Sequence, residues 1–146
     1  MDNGIVITEA KIIDIPSIII LRSTAIQNLK PIPESEIVKN ISEFFIAKVE
    51  WIVAGCVRLF QPSPYPDILE LGSLVVYPQY EGTGVSCNLI KLCETTAGNI
   101  EKLLISVTDN DRLMGKYQRR GWHEDDGTFS ERLAESPGKK LFVMGG

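Results

Sequence analysis

Histidine is almost absent from this chain of 146 residues. His123 stands alone, with no cysteine or carboxylate at ligand spacing around it, and so gives no reason to expect a metal centre. The three cysteines, Cys56, Cys87 and Cys93, contain no C-x-x-C pair, and their odd number suits reduced thiols in a cytoplasmic setting better than a disulfide framework. No basic block offsets the formal charge of −4 and the pI near 5.0, which argues against nucleic acid or a membrane surface as partner. The densest basic cluster, Lys116, Arg119 and Arg120, is local. No apolar run is long enough to span a bilayer: the stretch from Ile12 to Leu21 is broken by Asp14 and Pro16, and Met1-Asp2-Asn3-Gly4 lacks the basic start of a signal peptide. Low-complexity tracts and internal repeats are also missing.

What remains is ordinary in proportion, with 44% hydrophobic and 23% charged residues. A chain of this length buries about 68–70% of its unfolded surface without staples, so residues 1–146 are expected to form one domain.

Ile5 to Thr8 reads as a first strand, and Asp14, Pro16 and Ser17 as the start of a helix running to Leu29, with Asp14 supplying the cap acceptor. Pro31 and Pro33 stop it, and a second helix is expected from Glu34 to Ile41. Phe44–Val49 and Ile52–Phe60 read as hairpin strands joined by Glu50-Trp51, although neither residue favours a positive φ. Ile68 to Tyr77 carries the unalternated core Leu74-Val75-Val76 of a strand covered on both faces. The spacing of Val85, Leu89, Leu92, Cys93 and Ala97 predicts a helix closed by Gly98-Asn99. A strand over Lys102–Val107 follows, then a helix capped by Asp109 or Asn110 and ended by Gly121, a polar loop from Asp125 to Gly138, and a last strand over Lys140–Met144. The order predicts a mixed α/β sheet with helices on both faces.

The junction from Leu69 to Ser86 is the most informative segment. A strand handing directly to a helix across Gly82 and Gly84 leaves backbone amides at the helix start without intrahelical partners, with the positive end of the helix dipole behind them. Such a cup suits phosphate.

On these residues the chain resembles the GNAT superfamily of acyl-CoA-dependent N-acetyltransferases over almost its whole length. Glu70, then Leu74-Val75-Val76-Tyr77-Pro78 and Gln79-Tyr80-Glu81-Gly82-Thr83-Gly84, fits the family's Gln/Arg-x-x-Gly-x-Gly/Ala pattern. Asn110 with Tyr117 seven positions later, then Arg119, Gly121 and Trp122, is similar to the family's Asn-to-Tyr helix ending in Gly-aromatic. In the alternative frame Arg-Gly-x-Gly-x-Gly/Ala, Glu81 replaces the basic residue and Ser86 the last small one; a carboxylate about 4 Å from a pyrophosphate repels it by about 1 kcal/mol even in water.

The resemblance implies a GNAT-like sheet with strands 4 and 5 splayed, acetyl-CoA as cosubstrate, and roles for particular residues. Glu70 is the implied base, since a protonated amine cannot attack a thioester, and Tyr117 the implied acid for the departing thiolate. Against these stand an ion-paired or solvated Glu70 and a Tyr117 that is simply a core aromatic. Leu74, Val75 and Val76 would pair with the pantetheine amides as an added strand. Gln79, Gly82, Thr83, Gly84, Val85 and Ser86 would hold the diphosphate, with Asn110 and Arg119 also on the cofactor; Asn110 serves equally well as a helix cap.

Some features are similar to amino-acid N-acetyltransferases of the N-acetylglutamate synthase type: Ile52-Val53-Ala54-Gly55-Cys56, Glu70-Leu71-x-Ser73-Leu74 and Ser136-x-x-Lys139-x-Leu141. An amino-acid acceptor needs a carboxylate anchor, for which Arg58, Lys139 and Lys140 are candidates. The alternatives are a protein N-terminal or lysine acetyltransferase and a CoA-binding module without turnover, and a homodimer is compatible with each. Cys87 and Cys93, six apart on one helix, are expected to pack, and Trp51 and Trp122 to be core or hairpin residues.

Overall fold

The computed structural model describes residues 4–25 and 31–145. In chain order the elements are β1 (Ile5–Glu9), α1 (Ile15–Ser23), α2 (Glu34–Lys39), β2 (Phe44–Val49), β3 (Ile52–Phe60), β4 (Ile68–Val76), α3 (Val85–Asn99), β5 (Leu103–Thr108), α4 (Asp111–Arg119), β6 (His123–Glu124), α5 (Ser130–Ala134) and β7 (Lys140–Val143). They build the expected mixed α/β sheet, with strand order β1-β2-β3-β4-β5-β7-β6. The β4–β5 pair is parallel, and β1–β2, β2–β3, β5–β7 and β6–β7 are antiparallel. Among the described residues no helix is long and apolar enough to cross a membrane.

The chain condenses into two compact units, Met1–Leu59 with Ser73–Leu92, and Phe60–Gly72 with Cys93–Gly146.

In the first unit Ile15, Ile18 and Leu21 of α1 and Ile37 of α2 pack with Phe44, Ile46, Cys56 and Val75. Gly55, next to Cys56, faces the other way: a Cβ there would lie 3.0 Å from Val75 O and 3.0 Å from Val85 Cγ1 of α3. Successive strand residues point to opposite faces, so α1 and α2 cover one face of β3 and the head of α3 the other. Gly55 is glycine because β4 and α3 both crowd it.

The β2–β3 hairpin forms on the expected strands, and its turn residues adopt the left-handed backbone they do not favour, with φ of 48° at Glu50 and 73° at Trp51. A two-residue hairpin needs that geometry to match strand twist, so ladder formation overrides local preference.

Three features of the first two helices differ from expectation. Asp14 gives α1 no side-chain cap; its carboxylate accepts instead from the Lys11 N–H at 2.8 Å, closing the single 3-10 turn Ile12–Asp14. The helix α1 ends at Ser23, and the rest of its expected run to Leu29 passes into residues 26–30, outside the described residues. The second helix stops at Lys39, and Ile41–Glu43 forms a separate 3-10 turn.

In the second unit the parallel register runs from Ile68↔Leu103 to Leu71↔Ser106, where the ladder between β4 and β5 ends. Ile68, Ile105, Phe129, Leu141 and Val143 form its core on one face. The expected polar loop after Asp125 contains a short helix, α5. Asp125 Oδ2 accepts from the N–H groups of Gly127 at 3.1 Å and Phe129 at 3.0 Å, turning the chain so that Phe129 is buried against Tyr65. That turn brings α5 to the site.

Candidate active site

In the first unit the site is backbone. Ser73 takes a φ of 52° in mid-strand and is held at two atoms: Arg22 of α1 donates to its hydroxyl, and the Cys56 thiol donates to its carbonyl at 3.4 Å. Burial pushes the Cys56 thiol up to about 12, against the pull of the neighbouring Arg22 charge, so it is an inert donor. Leu74 and Val75 are buried and Val76 is half-buried, and the Tyr77 N–H donates to Ala54 O at 2.9 Å.

Beyond β4, Pro78–Tyr80 makes one 3-10 turn, and the Thr83 N–H returns to Tyr80 O at 3.2 Å. Gly82 and Gly84 then take φ of 79° and 97°, values that L side chains resist, and Gly84 O accepts the Asn88 N–H at 2.9 Å to open α3. Gln79, Gly82 and Thr83 are exposed, whereas Val85 and Ser86 are buried. The expected strand, glycine loop and helix therefore follow in unbroken succession. Cys87 is exposed rather than packed, because the third residue of α3 points away from the sheet; Cys93 is buried as expected.

In the second unit the site is side chains. Tyr117 on α4 is fully buried, stacked on Trp122 at 4.2 Å with an interplanar angle of 14°. Its hydroxyl donates to Ser106 Oγ at 2.7 Å, and Ser106 donates in turn to Leu71 O at 3.1 Å. Burial raises the phenol above its ordinary range, with the Ser106 hydrogen bond opposing and the charges of Glu70 and Glu94 adding to the rise. Trp122 is core, its Nε1 donating to Glu94 at 2.8 Å, and Arg120 donates to the same carboxylate through Nε at 3.0 Å.

Glu70 is 3% exposed and gripped by Arg132 of α5, whose Nε and Nη2 donate to Oε1 and Oε2 at 2.6 Å each. The Arg132 guanidinium is raised, first by its hydrogen bonds to Glu70 and despite desolvation. Glu70 stands opposite Ile105 in the register, and Ser106 is the next residue along. The carboxylate and the Tyr117 hydroxyl thus lie on opposite faces of the β4–β5 ladder, near its end.

Asn110 caps α4, its Oδ1 accepting from the Leu113 N–H at 3.1 Å. Arg119 is exposed and folds back along α4, its Nη1 3.2 Å from where a Cβ on Gly115 would lie. Arg58 is engaged by Glu43 at 2.7 Å and Glu36 at 3.4 Å. Sequence reasoning missed Arg132, Ser106 and Arg22. Ser106 could have been found, as a lone hydroxyl in the apolar run Leu103-Leu104-Ile105; Arg132 could not, since its partner is 62 residues away.

The sequence model of the acetyltransferase (GNAT) domain matches residues 23–134. None of the curated proteins matches by sequence. Among solved structures, N-acetylglutamate synthase from Neisseria gonorrhoeae, complexed with coenzyme A and N-acetyl-glutamate, is 21% identical with a TM-score of 0.81, over 95% of this chain and 34% of that one. The chain thus spans about a third of that enzyme's length. Rv2747 from Mycobacterium tuberculosis, in complex with CoA, is 18% identical with a TM-score of 0.79, covering 95% and 98%. Arabidopsis thaliana Naa50, bound to a bisubstrate analogue of CoA and a peptide, is 13% identical with a TM-score of 0.71, covering 96% and 97%.

Proposed function

Because this chain belongs to the acetyltransferase (GNAT) domain family, we propose that it moves the acetyl group of acetyl-CoA onto a primary amine of a small molecule such as an amino acid, with residues 1–146 acting as one domain. The observation that carries the residue assignments is the placing of Glu70 and Tyr117 on opposite faces at the end of the β4–β5 ladder. An amine can be deprotonated on one face while the thiolate is received on the other.

Glu70 is the base. Arg132 takes one lone pair from each carboxylate oxygen and leaves one on each, enough to accept from an amine or a bridging water.

Tyr117 is the acid. Its raised phenol stays protonated at neutral pH and supplies an O–H to sulfur as the carbon–sulfur bond breaks. Turning that O–H from Ser106 gives up a neutral hydrogen bond of about 1 kcal/mol for a charged one of about 1.5–3 kcal/mol. The exchange favours the thiolate.

Leu74, Val75 and Val76 offer strand backbone to the pantetheine arm. Gln79, Gly82, Thr83, Gly84, Val85 and Ser86 surround the amides at the head of α3, where the helix dipole favours the diphosphate, and Arg119 adds an exposed charge from α4. Asn110 sets the start of the helix that carries Tyr117.

Thiol release from acetyl-CoA, measured with amino acids, simple amines and peptides, tests the reading. Turnover with amino acids supports it; turnover with peptides alone points to protein modification, and coenzyme binding without turnover to a non-catalytic module.

A further inference from the structure

The first unit holds an open groove of about 500 Å³ between α2 and β3, lined by Pro33, Ser35, Glu36, Lys39, Asn40 and Arg58. Its charges are unevenly held. Arg58 is anchored beneath, with Nε and Nη2 converging on a single oxygen of Glu43 at 2.9 and 2.7 Å and the guanidinium 5.5 Å over the Phe44 ring. Toward the groove, its Nη1 meets Glu36 at 3.4 Å, well beyond the ~2.7–2.9 Å of a tight charge-assisted bond. Glu36 is also the loose partner, with a side chain 41% exposed against 17% for Arg58. Lys39, three residues on along α2, lines the same groove.

We propose that this groove binds the α-carboxylate of a small amino acid, which displaces Glu36 from Arg58 Nη1 and is held between Arg58 and Lys39. Glu36 is then a built-in competitor that occupies the guanidinium until a ligand arrives. The remaining carboxylate of Glu43 lies against the same guanidinium and repels a second negative charge, so the groove prefers a neutral amino acid to a dicarboxylic one.

Calorimetric titration of the whole chain, without acetyl-CoA, tests this with L-leucine, L-leucinamide and L-glutamate. Leucine binds, and leucinamide and glutamate bind at least tenfold more weakly. Lys39→Gln weakens leucine about tenfold, whereas Glu36→Gln tightens it several-fold by removing the competitor; both changes are on an exposed helix, and thermal melts verify the fold. Equal binding of leucine and leucinamide, no binding of leucine at tens of millimolar, or a Glu36→Gln variant that binds no tighter overturns the inference. Because these titrations contain no acetyl donor, they stand apart from the transfer reaction: leucine binding as described, with acetyl transfer to no amine, contradicts the proposed function and leaves the groove intact.

Discussion

The hydroxyl of Tyr117 donates to Ser106 Oγ at 2.7 Å, and the direction of that bond is fixed. Ser106 spends its own proton on Leu71 O, a carbonyl that can only accept, so the phenolic proton must point at Ser106. A strand hydroxyl thereby parks the proton that the proposed reaction uses.

Tyr117→Phe removes that proton and keeps the ring stacked on Trp122. Turnover should fall about a hundredfold, in line with loss of a general acid. Stability should drop by only about 1 kcal/mol, since Ser106 keeps its bond to Leu71. Steady-state kinetics with urea unfolding reads both, and an unchanged kcat would remove Tyr117 from the mechanism.

Arg132→Met leaves the buried Glu70 carboxylate without its partner, and should cost about 3–5 kcal/mol. Glu70→Gln should abolish the acid-side limb of kcat/KM, as loss of a general base requires. A limb that persists in Glu70→Gln assigns the base to another group.

The Glu50-Trp51 turn predicts a gain. Both residues hold a left-handed backbone that costs an L residue about 1–2 kcal/mol, and Trp51 is 93% exposed, so it contributes little packing in return. Changing the pair to Asn-Gly should raise stability by about 1–2 kcal/mol, read as a higher urea midpoint with an unchanged slope.

The strands, their order and the loop at Gly82 and Gly84 were legible because each depends on local pattern: β-branched runs, glycine at positive φ, helical spacing after Val85. The site's side-chain partners were not. Arg132 reads as one more charge in a polar loop, and only the turn made by Asp125 carries it to Glu70. The cap on α1 was misread for a local reason: Asp14 accepts from the Lys11 N–H before it in the chain, not from the start of the helix. Cys87 and Cys93, six residues apart on one helix, face different surroundings as that spacing implies, and the expectation that both pack fails at Cys87.

The thiols make this measurable. One of the three cysteines, Cys87, should react at once with a disulfide reagent in the native protein, and all three after unfolding. Burial raises both Cys56 and Cys93 from an ordinary 9.0 to about 12. The unfolded chain therefore loses these protons first, so their contribution to stability is full below about pH 9 and declines between about 9 and 12, by up to about 1.4 kcal/mol per pH unit for each thiol. Urea unfolding at stepped pH should show that decline, and Cys93→Ala should flatten it; identical slopes would mean that the thiol does not stay protonated in the fold.

Titration of coenzyme A and acetyl-CoA into the protein by calorimetry tests the central claim most directly. The backbone cup at the head of α3 predicts saturable binding of both, weakened at least tenfold when Gly82 and Gly84 are together replaced by alanine and the loop is strained out of its left-handed path. Absence of heat with either form at millimolar concentration, or equal binding by the double variant, would contradict it.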